Sequence, residues 1–471
     1  MLTKSAFGKF LECKNEFWLD IHHPEPPKQF SINQVHGREM GYEVERLARS
    51  LRLFADREGY RTEFGKVFQT ESLYAKADIV MTETGTGEIE IYEVKSGASA
   101  KKEYRDDLAF QCHVAKSAGY TVKKTSLVTV DTSYVLCGNC DAEQLLRVTD
   151  QTEAVELIQD SIAEQIEAAL TCLLADEPPA TLVDYCNTNK LACRFLVRKF
   201  PNIPAYNVSH IFNAGSKKLD ELLQQSILEV HEIPTDFELT ESQEKIIALV
   251  RCGKLHIDAA TIRSELDGLT YPLNFLDYET FSYAVPKFAG TFAYQQMPFQ
   301  YSLHTIDEPG GEVRHSYHLS RNDGRHPAEE AVEHLYEDLE GRIGTVVVWS
   351  EGFETSRNNE LGKMYPQYAK FLSEINDYVY DLRKIFSRQL YMHPEFHGRD
   401  SIKKVLPVLC PELSYEAMTI ADGLTASIKW YHMATARGSQ EEREQIYQDL
   451  LEYCKLDTLA MVEIYNVLRN L

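Results

Sequence analysis

Residues 271–280, YPLNFLDYET, constrain this chain more than any other stretch. Read as an extended segment, its side chains alternate between faces. Asp277 and Glu279 then share a face with Leu273 and Phe275, while Leu276 and Tyr278 take the other. Two carboxylates project together from an otherwise apolar strand. Either the strand ends there and the acids reach solvent, or they are buried and need a partner. Unpaired buried carboxylates are costly, and a hard divalent cation is the partner that oxygen ligands suit best.

The 471 residues, 44% of them hydrophobic, can bury more than one core and suggest roughly two to four domains. No run approaches the ~18–20 apolar residues of a membrane span, and MLTKSAFGKFLECK lacks the apolar core of a signal peptide. A soluble, cytoplasmic chain with no membrane partner is expected. Its ten cysteines are then expected to be reduced thiols or metal ligands. A net charge of -23 argues against a protein that coats nucleic acid along a broad basic surface, but not against an enzyme gripping a few phosphates. Residues 1–150 hold 20 Lys and Arg against 23 Asp and Glu, and residues 151–250 hold 7 against 16. A polyanion would meet the first region.

In chain order, residues 3–20 suit a helix with Cys13 in its middle, and a second helix is expected from about Gly37 to Phe54. Residues 67–81 and 88–95 are strand-like runs separated by TETGTG, a hairpin signal. Pairing about that turn would bring Asp78, near the end of its strand, toward Glu93 and Lys95. This D-x14-E-x-K constellation offers two carboxylates for a metal and an ammonium for the attacking water and a phosphate oxygen. It also arises by chance on exposed strands. A helix at 104–119 carries Gln111, and a strand follows at 121–131. The C-x2-C at 137–140 has no second pair and reads as a hairpin turn with ordinary thiols. A long helix over 153–174, an irregular stretch at 176–204 with Cys186 and Cys193, and short acidic helices from 216 to about 268 complete the first half.

After the acidic strand come strand-like stretches at 299–307 and 312–320, a Pro-started helix from 327, and the apolar strand TVVVWS at 345–350, an order that fits a mixed sheet with packed helices. Glu354 stands at the start of the helix leaving that sheet. The final helix opens on a capping box, Ser439 and Glu442. Within it, Tyr453 and Asp457 stand four apart on one face with Leu450 and Met461. An aspartate in that apolar stripe answers either to a cap or salt bridge, or to a metal shared with Asp277 and Glu279.

FLDYET, Glu354 at the head of a helix after a central strand, and Y-x3-D at Tyr453 and Asp457 resemble the DEDDy branch of the DnaQ-like 3′→5′ exonucleases over roughly 268–471. The resemblance implies an RNase H-like fold and two divalent ions, Mg2+ or Mn2+, held by Asp277, Glu279, Glu354 and Asp457, with Tyr453 orienting the attacking water. One position departs, since Glu354 stands where the family has Asp. Residues 1–215 resemble the RecB-like branch of the PD-(D/E)XK nucleases, especially CRISPR adaptation nucleases, with a restriction-endonuclease-like fold. Asp78, Glu93, Lys95 and Gln111 fall on its motif. Here the resemblance implies one or two ions on Asp78 and Glu93. The basic histidine of many relatives is replaced in GREMGYEVE, with His36 or Glu45 as substitutes. Such relatives hold an iron–sulfur cluster on four cysteines. Cys13, Cys186 and Cys193 match three, and Lys199 or Phe200 stands where the fourth is expected, so a cluster and structural cysteines both stay open.

The whole chain resembles an uncharacterised bacterial family that fuses the two modules. The expectation is an α/β chain with a nuclease domain at 1–215, a helical connector at 216–267 and an exonuclease domain at 268–471. Its expected substrate is DNA rather than RNA, single-stranded or frayed, in repair or phage defence and with a protein partner. The competing expectation is a catalytically weak scaffold that grips nucleic-acid ends.

Overall fold

A computed structural model describes residues 1–26, 30–179, 194–212 and 217–471. The chain forms two compact units: Met1–Pro234 with Tyr283–Tyr294, and Thr235–Ser282 with Gln295–Leu471. Both are mixed α/β.

The first unit is built on six strands: β1 (Leu2–Thr3), β2 (Tyr60–Gln69), β3 (Leu73–Glu83), β4 (Ile89–Val94), β5 (Val122–Val130) and β6 (Leu146–Asp150). Their order is β1-β3-β4-β5-β6, with β2 also paired to β3. The β3–β4 hairpin is antiparallel, and β4 and β5 are parallel. A parallel pair needs a crossover, which the helix Lys102–Ser117 supplies. Alternation along β4 sorts the core onto two faces. Ile91 packs among Phe7, Phe10, Leu108 and Phe110 on one face, and Tyr92 among Val44, Phe54 and Val128 on the other. Glu93, two residues on from Ile91, is thereby aimed at the helices Lys4–Glu12 and Lys102–Ser117.

Several expected elements divide. The helix expected over 3–20 is two, Lys4–Glu12 and Lys14–His22. Cys13 between them is extended and caps the second by accepting from the Glu16 amide through Sγ at 3.4 Å. The run 67–81 is the end of β2 and most of β3, turned at 70–72 where Thr70 Oγ1 accepts from the Leu73 amide. Asp78 therefore lies mid-strand rather than near a strand end. The second helix is Ile32–Arg49, starting at a Ser31 capping box, and the helix over 153–174 is Thr152–Glu156 followed by Gln159–Leu174.

The second unit carries β7 (His256–Ile257), β8 (Leu273–Phe281), β9 (Met297–Ile306), β10 (Val313–Leu319), β11 (Thr345–Val348), β12 (Val379–Asp381) and β13 (Tyr391–Met392). Five form a mixed sheet ordered β10-β9-β8-β11-β12, while β7 and β13 pair separately. β8, the acid-bearing strand, is central: antiparallel to β9 and parallel to β11. The helix Gln440–Arg469 packs on β8 and β9. Buried polar groups fix its rotation. Thr458 Oγ1 lies 2.7 Å from Ser302 Oγ and 2.8 Å from His304 Nδ1, and Gln300 donates to the Leu450 carbonyl at 2.9 Å. These contacts bring Asp457 over β8. A second helix, Gly423–Ala434, is anchored by Trp430, fully buried and stacked on Phe281 and Phe299 at 4.8 and 4.6 Å between ring centroids. Among the described residues no helix is long and apolar enough to cross a membrane.

Candidate metal centre and a second acidic site

On β8, Asp277 is partly exposed, and Glu279 beside it is buried. Asp457 descends on them from the helix Gln440–Arg469. The three carboxylates each bring an oxygen to within 4.8 Å of the others, the one such cluster of ligand side chains among the described residues. All three line a cleft of about 500 Å3 together with Glu354, Lys403 and Tyr453, walled by Trp349, Phe353, Ile402, Leu424 and Met461.

Glu354 sits in the first turn of the helix Glu351–Met364. That helix is tied to β8 by the Tyr278 hydroxyl, which donates to Asn358 Oδ1 at 2.8 Å. Glu354 is 2% exposed, and its Oε2 is buried without a hydrogen-bond partner.

Burial and the charges of Asp457, Glu279 and Glu354 push the Asp277 carboxyl well above its ordinary value. Burial and Asp457 do the same to Glu279. Burial raises Asp457 to about 6 and Glu354 to about 8. Four largely buried acids, close enough to raise one another, are short of positive charge. The opposing cations are Lys403, which lowers Asp277, Glu279 and Asp457 and whose Nζ lies 3.1 Å from the Tyr453 hydroxyl, and Arg357, which lowers Glu354. Converging oxygen donors and a deficit of positive charge fit a hard divalent cation on Asp277, Glu279 and Asp457, with the orphaned buried Glu354 oxygen in the lining of the same cleft.

Two further residues of this site carried no signal in the sequence reading. Lys403 is the second residue of the helix Ile402–Leu409, more than 120 residues beyond β8 in the chain. Tyr415 donates from its hydroxyl to Asp457 Oδ1 at 2.7 Å and stands edge-on to Tyr453. Each sits in a local pattern that reads as ordinary amphipathic helix or loop.

The first unit also gathers its expected residues. The β3–β4 register, extended one step past Ile79 and Tyr92, sets Asp78 opposite Glu93. Asp78 Oδ2 accepts from the Val94 amide at 2.8 Å. Gln111 donates to Glu93 Oε2 at 2.7 Å. Lys95 Nζ lies 3.0 Å from Glu93 Oε1 and 2.5 Å from Asp107. Lys4, absent from the expected set, lies 2.6 Å from the same Glu93 oxygen. Burial and Glu93 raise Asp78 to about 7. Burial would also raise Glu93, yet Lys4 and Lys95 hold it below its ordinary value. Of the two substitutes for a basic histidine, Glu45 is close enough to raise Asp78, while His36 packs edge-on against Tyr283. Cys13 is buried, and Cys186 and Cys193 lie outside the described residues.

Fold and site together define a mixed α/β chain with one cation-deficient acidic centre and one acidic site compensated by lysines. A family model described as a domain of unknown function, DUF2779, matches residues 274–401, which include Asp277, Glu279 and Glu354. An uncharacterized protein of Ureaplasma parvum is 26% identical over 215 residues, 42% of this chain and 31% of the relative. The match thus covers less than a third of that protein's own length.

Proposed function

We propose that the second unit is a metal-dependent 3′→5′ exonuclease of the DEDDy type with an RNase H-like fold, acting on DNA with Mg2+ or Mn2+. The observation that carries this reading is the convergence of Asp277, Glu279 and Asp457, with Tyr453 and Lys403 beside them. A mixed sheet whose central strand bears the acids supports the fold. Bound at Asp277, Glu279, Glu354 and Asp457, divalent ions would supply the charge that activates water and stabilises phosphate oxygens.

The remaining work falls to the chain's own groups. Burial and Asp457 raise the Tyr453 phenol far above its ordinary range, so it stays protonated and orients water as a hydrogen-bond donor rather than removing a proton. Lys403 supplies a cation for a non-bridging phosphate oxygen. The aromatic and aliphatic wall of Trp349, Phe353, Ile402 and Leu424 suits the faces of unstacked bases, which favours a single-stranded or frayed end.

The same proposal reads the first unit as a RecB-like PD-(D/E)XK nuclease module around Asp78, Glu93, Lys95 and Gln111, and the whole as a two-module nuclease of repair or phage defence that works with a protein partner. One observation favours a second reading for that unit, in which it grips nucleic-acid ends without cutting. Two lysines already neutralise Glu93.

End-labelled DNA and RNA incubated with Mn2+ test both readings. Shortening from the 3′ end by the parent chain, lost in Asp277→Ala, supports the exonuclease. Intact substrates throughout would reject it, and band-shift binding lost in Glu93→Ala without any cleavage would favour end-gripping by the first unit.

A further inference from the structure

The acidic site of the first unit lacks the feature that makes the other a metal centre. Both oxygens of Glu93 are taken. Oε1 receives the Lys4 ammonium at 2.6 Å and the Lys95 ammonium at 3.0 Å, and Oε2 receives the Gln111 amide at 2.7 Å. Across the strand pair, Asp78 Oδ2 receives the Val94 amide at 2.8 Å. A divalent ion binds carboxylate oxygens at roughly 2.0–2.6 Å and brings a double positive charge. An ammonium already on that oxygen excludes it by volume and by repulsion. The residues present therefore do not fit an ion at Glu93 in this arrangement.

The backbone that delivers Lys4 is pinned. Leu2 and Thr3 pair in parallel with Leu73 and Tyr74, and Leu2 is fully buried. Thr3 Oγ1 caps the helix Lys4–Glu12 by accepting from the Ala6 amide at 3.2 Å. Lys4 is the first residue of that helix, so the sheet pairing and the cap set where its side chain starts. The side chain is 22% exposed, a four-carbon arm that reaches inward to a carboxylate 2% exposed.

We infer that Lys4 is a built-in counter-cation that holds the ion position on Glu93, so that the first unit takes a divalent cation only when this lysine is absent or displaced. The inference deepens the reading of that unit as a nuclease-type acid site, and counting bound metal separates the two.

Mn2+ bound per full-length chain, measured by equilibrium dialysis with electron paramagnetic resonance of free Mn2+, tests it on the parent chain, Glu93→Gln, Lys4→Gln and the double variant. The parent and Glu93→Gln bind the same number of ions. Lys4→Gln binds one more, and the double variant loses it. A lower count in Glu93→Gln than in the parent overturns the inference, as does a folded Lys4→Gln chain that gains none. Should Lys4→Gln fail to fold, Lys4→Met takes its place in the same comparison, and a lower count in Glu93→Gln than in the parent still overturns the inference. Asp277→Asn in the same assay reports on the other unit: a count that ignores Asp277 rejects the proposed exonuclease centre whatever Lys4 does.

Discussion

Glu93 and Asp277 both stand on interior strands among apolar neighbours, and their carboxyls are driven in opposite directions. Glu93 is held below its ordinary value and Asp277 well above it. Burial acts the same way on both, so the neighbours decide. Two ammoniums sit on Glu93, whereas Asp277 faces three other acids and a single opposing lysine. Unit charges about 4 Å apart interact by on the order of 4 kcal/mol at an effective dielectric near 20, enough to outweigh a partial desolvation cost and reverse a shift. An acid on a buried strand is therefore no evidence for a metal until its counter-charges have been found.

The sharpest way to break this contrast is through activity. If the second unit holds the working centre, Asp277→Asn lowers the initial rate of Mn2+-dependent degradation of 3′-end substrates by about 10²–10³-fold, the scale of losing one group that stabilises transition-state charge. Glu93→Gln leaves that rate within a few-fold. Equal losses in both variants would erase the distinction between the sites.

Stability separates them by sign. Glu93→Gln leaves Lys4 beside a neutral amide, while Lys95 keeps Asp107 at 2.5 Å. Removing one partner of a buried pair costs roughly 3–5 kcal/mol. Both lysines reach solvent in part, so the loss expected from urea unfolding lies at the lower end, about 3 kcal/mol. Asp277→Asn removes a repelling charge and raises the midpoint of the metal-free protein. Destabilisation by both would mean that the second cluster is compensated too.

The pH dependence follows from the same centre. In the folded chain Asp457 titrates near 6 and Glu354 near 8, against ordinary values of 3.8 and 4.5. The folded state holds these protons more tightly than the unfolded state. Their contribution is most favourable below about pH 4 and is lost as pH rises through 6 and 8, by on the order of a few kcal/mol. Mn2+ bound at the proposed centre is expected to reverse that loss. At about 100 times its dissociation constant it adds roughly 2.7 kcal/mol. Thermal melts should show a larger Mn2+-induced rise at pH 8 than at pH 5.5, and the difference should vanish in Asp457→Asn.

What the sequence made legible tracks how local each signal is. Asp277 and Glu279 announce themselves by a period of two in an apolar strand, and Asp457 by its place in a helical stripe. Glu93 and Lys95 were legible as a pair, but not what neutralises them, because Lys4 lies 89 residues away in sequence and looks like any lysine opening a helix. The β2–β3 turn escaped notice because Thr70, Glu71 and Ser72 include no glycine or proline. Lys403 and Tyr415 reach the acids only through tertiary packing. Counter-charge is a property of the folded arrangement, so the pattern that finds acids does not find what balances them.

The smallest effect concerns the neutral hydrogen-bond donor that each site has of its own. Tyr415 donates a hydrogen bond to Asp457 much as Gln111 donates one to Glu93. Losing a hydrogen bond to a charged group costs about 1.5 kcal/mol at the low end, roughly tenfold in rate where the group acts in catalysis. Tyr415→Phe should therefore lower kcat about tenfold. Because the Tyr415 hydrogen bond pulls Asp457 down, its loss should also shift the acidic limb of the pH–rate profile upward. Gln111→Met removes the corresponding donor at Glu93, where Lys4 and Lys95 remain, and should leave that profile where it was. If both substitutions moved the profile alike, the rate would depend on Glu93 as well, and the first unit would have to be counted part of the working centre.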